Sequence, residues 1–143
     1  MATTAERSIV LLLDTHVWFW LVDGSPRLPE AALAAIDGAA ARGELLVSVV
    51  SVWEISMLEA KGRVRFDTTC LAWVEQALAP PVRLAPLTPE IAVESTRLPG
   101  SFHPNPADRL LTATARVEGA FLMTRDRRIV AYAREGHVRT VPV

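Results

Sequence analysis

"IVLLLDTHVWFW" spans residues 9–20, and five aliphatic residues run straight into Asp14. A continuous apolar run of this kind reads as a strand covered on both faces, because a strand with one wet face would alternate. "THVWFWLV" (15–22) then reads as a helix. The chain therefore places a carboxylate at the seam between a buried strand and a helix. The same arrangement recurs. "ELLVSVV" (44–50) reads as a second strand leading into the helix "SVWEISMLEAKG" (51–62), with Glu54 in its first turn. "AFLMT" (120–124) reads as a fourth strand, and Asp126 opens the helix "DRRIVAYAREG" (126–136).

The intervening segments complete the pattern. "EAALAAIDGAAARG" (30–43) is Ala-rich and helical, with Gly43 as its stop. "RVRF" (63–66) reads as a short extended piece. "DTTCLAWVEQALAPP" (67–81) reads as a helix capped by Asp67 and ended by Pro80-Pro81. "VRLAPL" (82–87) is a third, weaker strand, and "VRTVPV" (138–143) a last edge strand. Thr88-Pro89 and Asn105-Pro106 each pair a capping side chain with a proline at the first helical position, opening helices 88–100 and 105–120. Strands alternating with helices predict an α/β fold in three layers, a mostly parallel sheet of four to five strands with helices on both faces. One domain over 1–143 is expected, with the polar residues 1–7 frayed.

The bulk composition narrows the function. Half of the 143 residues are hydrophobic, and 15 basic against 16 acidic side chains leave a net charge of −1. That balance gives no general attraction to a polyanion or a membrane surface, although it permits one local site. The lone Cys70 excludes an internal disulfide and argues against a thiolate metal cluster. No apolar run reaches the ~18 residues of a membrane span, so a soluble, cytoplasmic protein is expected.

In a parallel sheet with right-handed crossovers the strands' carboxyl ends share one edge, where open α/β sheets bind ligands. Asp14, Glu54 and Asp126 all follow strands, and Asp108 opens the helix that feeds strand four. The topology thus brings four acids to one rim. Each has a plainer reading as well. Asp14 and Asp126 suit N-caps, Ser51 and Glu54 match a capping box, and Asp108 suits the positive end of a helix. Capping explains each acid singly but not why four gather. Carboxylates crowded within ~5 Å repel, and a hard divalent cation such as Mg²⁺ or Mn²⁺ relieves that repulsion. Such a site activates water and neutralises charge in phosphoryl displacement.

At these residues the chain resembles the PIN-domain family, especially the VapC-type toxins of bacterial toxin–antitoxin pairs. "LLLDTHVWFW" (11–20), "SVVSVWEISMLEAKGR" (48–63), "PADRLLTATA" (106–115) and "LMTRDRRI" (122–129) resemble its four motifs in order, over nearly the whole chain. The resemblance implies a Mg²⁺- or Mn²⁺-dependent endoribonuclease, a homodimer, and inhibition by a cognate antitoxin. It implies that Asp14, Glu54, Asp108 and Asp126 form the metal site, and that Thr124 orients a carboxylate or the attacking water.

Around that set, Thr15, Arg109, Arg125 and Arg127 are candidate substrate contacts, Thr15 also as a support for Asp14, and Arg128 joins the arginines around Asp126. Solvated helix faces are the plainer reading for the arginines. His16 and His103 are candidates to approach the site, and His137 reads as a surface residue. Trp18 and Trp53 read as core. Trp20, with the apolar surplus of the 15–22 and 51–60 helices, suits a dimer face or an antitoxin groove. Two other functions fit the pattern: a PIN fold that binds RNA or a partner without cutting, and a receiver-like phosphoacceptor using Asp14. The receiver needs a lysine after a late strand, and the only lysine is Lys61.

Overall fold

The computed structural model describes residues 9–143, so the expectation for residues 1–7 lies outside the described residues. Five strands form one wholly parallel sheet: β1 (Leu11–Leu13), β2 (Leu45–Ser48), β3 (Arg83–Ala85), β4 (Phe121–Met123) and β5 (Arg139–Val141), in spatial order β3-β2-β1-β4-β5. Among the described residues, seven helices connect them: α1 (Thr15–Asp23), α2 (Glu30–Ala41), α3 (Val49–Ala60), α4 (Cys70–Ala77), α5 (Pro89–Ser95), α6 (Pro106–Glu118) and α7 (Arg127–Arg134).

β1 is central, and Leu11, Leu12 and Leu13 are each fully buried. Alternate residues of a strand face opposite sides, so the run feeds two cores. Leu11 and Leu13 pack with Trp18, Ile36, Ile55 and Val74 on the side of α1 to α4. Leu12 packs with Ile91, Ala113, Leu122 and Ile129 on the side of α5 to α7. A continuous apolar strand is thus what this position requires. Gly119, in the left-handed region at φ 64°, stops α6 and turns the chain into β4.

Several boundaries differ from the sequence reading. α3 begins at Val49, not Ser51, because Ser48 is its cap and accepts from the Val50 N–H. The capping box at Ser51 and Glu54 is therefore absent, and Glu54 sits in the second turn. α4 is capped by Thr69, which accepts from the Ala72 N–H, rather than by Asp67. Trp18 is core, but Trp53 is 53% exposed. Ser51 and Ile55, one turn apart, face inward and force Trp53 outward. Trp20 is buried under the guanidinium groups of Arg125 and Arg27, 4.9 and 5.7 Å from its ring centre, and is not a free docking face. Among the described residues, no helix is long and apolar enough to cross a membrane.

Candidate functional site

The order of connections reverses at the β1/β4 pair, since the chain leaves β1 toward β2 and β3 but returns to β4 and β5. A crevice outside the carboxyl ends of such a pair is the ligand site of open α/β sheets. Leu13 and Met123 are register partners, so the next residues, Asp14 and Thr124, meet as well. The Asp14 N–H donates to the Met123 carbonyl at 3.0 Å, and Thr124 Oγ1 donates to Asp14 Oδ2 at 2.6 Å. Asp14 occupies the N-cap position of α1, yet its side chain makes no capping bond to the helix. The cap reading fails for this acid.

Asp14, Glu54, Asp108 and Asp126 line one cleft of about 370 Å³, with His16, Trp20, Arg125 and Arg128. Asp14, Glu54 and Asp108 are each tied through one oxygen, and Asp126 through both. Thr15 Oγ1 lies 2.5 Å from Glu54 Oε1 and 2.8 Å from Ser51 Oγ. A hydroxyl has one proton and an ionised carboxylate only accepts, so Thr15 donates to Glu54 and Ser51 donates to Thr15. His103 Nε2 lies 2.7 Å from Asp108 Oδ2 and by the same rule is the donor. Asp126 Oδ1 accepts from the Arg128 and Ile129 N–H groups at 2.8 and 3.2 Å, so this acid does cap its helix. The other oxygen, Oδ2, is 3.6 Å from the Arg128 guanidinium, which also stands 3.5 Å from Asp108 Oδ2.

Burial is the largest influence on two of these carboxyls. Desolvation raises Asp14 above its ordinary value, opposed by the Thr124 hydrogen bond and the nearby His16, and Asp108 adds repulsion. Desolvation likewise raises Glu54, against the Thr15 hydrogen bond, with Asp14 and Asp108 adding repulsion. Carboxyls raised by burial and by mutual repulsion mark a place where negative charge is costly and a bound cation would relieve that cost.

The donor set fits a hard cation that keeps much of its water. Among the described residues no three acidic, histidine or cysteine side chains stand close enough to ligate one ion directly, which disfavours an all-protein cage. Mg²⁺ binds through one or two carboxylates and retains several waters. A cleft of this size with four acids on its wall suits that habit.

Two candidate substrate contacts have other tasks. Thr15 is 1% exposed and supports Glu54, not Asp14. Arg109 donates to the carbonyls of Ser95 (2.8 Å), Phe102 (3.0 Å) and His103 (3.3 Å), fastening the segment before α6. Arg125 lines the cleft, whereas Arg127 lines a neighbouring cavity. The support from Ser51 escaped the sequence reading because Ser51 matched a capping pattern. The pairing of His103 with Asp108 had a local signal: the Asn105 cap, which accepts from the Asp108 N–H, folds the chain back over that acid. Lys61 stands at the far end of α3, about 18 Å of helix from the rim, which removes the receiver-like reading.

The PIN domain family matches residues 11–135. Ribonuclease VapC22 of Mycobacterium tuberculosis (strain ATCC 25618 / H37Rv) is 39% identical over 133 residues, covering 93% of this chain and 97% of the relative. The fold is similar to two solved structures. VapBC2 from Rickettsia felis, bound to a DNA fragment from their promoter, matches with a TM-score of 0.67 at 13% identity, over 94% of this chain and 98% of that one. FitAcB from Neisseria gonorrhoeae matches with a TM-score of 0.62 at 18% identity, over 91% and 95%.

Proposed function

The chain belongs to the PIN domain family, and on that premise we propose that it is a VapC-type toxin ribonuclease. It cuts RNA phosphodiester bonds by attack of water, with Mg²⁺ or Mn²⁺ held at the acidic cleft. The observation that carries this reading is the convergence of Asp14, Glu54, Asp108 and Asp126 on one cleft at the β1/β4 switch point. The 39% identity to a relative named as a ribonuclease supports the choice of RNA.

Those four acids would hold the ion, one or two of them directly and the others through its water shell. When bound, the divalent ion supplies Lewis acidity, lowering the pKa of water and neutralising charge on the phosphate. The protein's own part is orientation. Thr124 fixes Asp14, the Ser51–Thr15 pair fixes Glu54, His103 fixes Asp108, and two backbone N–H groups fix Asp126. Each acid thereby keeps its second oxygen aimed by a locked rotamer. Arg125 is held rigid at the cleft wall by the Arg27 carbonyl at 2.7 Å and the Trp20 ring, and can meet a substrate phosphate. An antitoxin protein restrains the enzyme, and the active form is a homodimer. Exposed Trp53, Leu71, Leu84 and Val93 supply apolar surface for such partners.

Purified protein is expected to cut single-stranded RNA with Mg²⁺ and not with EDTA. Asp108→Asn lowers the rate by about 100-fold or more. An Asp108→Asn protein that binds Mn²⁺ and cuts like the wild type would overturn the assignment. Failure of the wild type to bind Mn²⁺ in calorimetry would leave a PIN fold that binds without cutting.

Arg128 provides a second expected result. Its guanidinium sits between Asp108 and Asp126, 60% exposed, and offers charge where a metal ion is needed. Arg128→Ala should tighten Mn²⁺ binding roughly two- to five-fold at low salt, with the gain shrinking as salt screens it. Calorimetry at two ionic strengths reads this directly. Unchanged or weaker binding would mean that Arg128 does not compete for the site.

A further inference from the structure

Beside the acidic cleft lies a second cavity of about 350 Å³, walled by Thr124, Arg125, Arg127, Val130, Arg134 and Val143. Arg125 lines both spaces, so they are adjoining rooms with a common wall. The second contains three arginines and no acidic side chain.

Arg127 and Arg134 are exposed, and neither joins an ion pair among the described residues. They stand seven residues apart on α7, whose inner face carries Ile129 and Tyr132. A separation of seven residues returns to the same helix face, about 10.5 Å further along. That spacing suits two separate phosphates rather than one. Folding alone does not account for Arg127. It is the first residue of α7, directly after the capping carboxylate of Asp126, whose Oδ1 is spent on backbone N–H groups and whose Oδ2 faces Arg128 instead. A cation there opposes the helix dipole. A local rule broken at an exposed position, next to a reactive site, marks function.

The neighbouring charges indicate what the cavity takes. A polyanion approaching four carboxylates is repelled unless cations flank them. Arg109 is committed to backbone carbonyls and Arg128 to Asp108 and Asp126. Arg127 and Arg134 join Arg125, which faces both spaces, as nearby arginines outside any ion pair among the described residues. We propose that this cavity is an RNA backbone subsite, in which Arg127 and Arg134 each hold a phosphate flanking the scissile one. The inference rests on the ribonuclease reading above.

The test is fluorescence anisotropy of a short labelled single-stranded RNA in EDTA, where it is not cut, across a range of KCl. The Arg127→Ala/Arg134→Ala pair should bind more weakly, with a log K against log[salt] slope shallower by about 1.4, since each phosphate contact on a single strand contributes about 0.7. Mn²⁺ affinity should stay at the wild-type value. The lysine pair, Arg127→Lys/Arg134→Lys, should retain the slope. If the alanine pair fails to fold, Arg134→Ala alone should lose about 0.7. A wild-type slope in the alanine variants, or its loss in the lysine pair, overturns the subsite. So does an alanine pair that keeps RNA but loses a bound protein partner, since the cavity is then a docking surface. Wild-type protein that neither binds nor cuts RNA refutes the ribonuclease reading itself, a result recognisable without any variant.

Discussion

Asp14→Asn is expected to abolish RNA cleavage and yet to melt at a higher temperature than the wild type in EDTA. Most substitutions that remove a hydrogen-bonded polar group destabilise, so the sign is diagnostic. Asp14 lies at the carboxyl end of the central strand, where burial raises its carboxyl above the ordinary value and Asp108 adds repulsion. At neutral pH without metal, the fold must keep that carboxylate charged at a cost, or take up a proton. Asparagine has the same shape, can still accept the Thr124 hydroxyl proton, and tolerates the N-cap position. It removes the charge and with it the cost. Each kcal/mol relieved raises the melting temperature by about 2–6 °C in a chain of this size. The same change removes a proposed metal ligand and should lower cleavage by about 100-fold or more. Calorimetric melting in EDTA and an RNA cleavage assay with Mg²⁺ check the two halves separately. A variant that melts lower in EDTA would make Asp14 a structural anchor. One that cuts at the wild-type rate would take it out of the site.

The placement of Asp14 at the end of a buried strand was legible because the signal is local: three leucines that must be buried, then an acid. The gathering of four acids was also legible, since it needs only strand order and right-handed connections. What the sequence hid was side-chain direction. Ser48 and Ser51 are both plausible caps, and the β-branched Val49 and Val50 between them suit a strand as well as a helix start. Reading the later serine moved Glu54 nearly a full turn closer to the helix start and concealed Ser51 as the partner of Thr15, which supports it. Trp53 was read as core because it adjoins Glu54, although one residue along a helix is 100° around it. Arg109 looked like a phosphate contact because it follows Asp108. Its actual partners, the carbonyls of residues 95, 102 and 103, depend on the course of a loop that no periodicity describes. The two partners of Asp108 divide along the same line. His103 lies five residues away behind a recognisable cap, whereas Arg128 comes from another helix and is brought there only by the sheet.

The largest expected shift in the intact protein comes from pH and metal together. Asp14 and Glu54 have carboxyls raised in the fold above their ordinary values of 3.8 and 4.5. Between those values and the raised ones, the folded chain holds more protons than the unfolded chain. Stability then falls as pH rises through that window, because the slope follows protons bound unfolded minus protons bound folded. These two acids therefore stabilise the metal-free protein least at neutral pH, the reverse of the usual salt-bridged carboxylate. Mg²⁺ or Mn²⁺ should restore what deprotonation removes. At a free concentration one hundred times the dissociation constant, the added stability is about 2.7 kcal/mol. That corresponds to a rise in melting temperature of roughly 5–15 °C. The rise should be greatest at pH 7–8 and should vanish toward pH 4, where protons occupy the same oxygens. Melting curves at three pH values, with and without Mn²⁺, test the linkage. A metal-induced rise of the same size at pH 4 and pH 8 would place the ion at some other part of the surface, because no ligand set of buried carboxylates can be indifferent to their protonation.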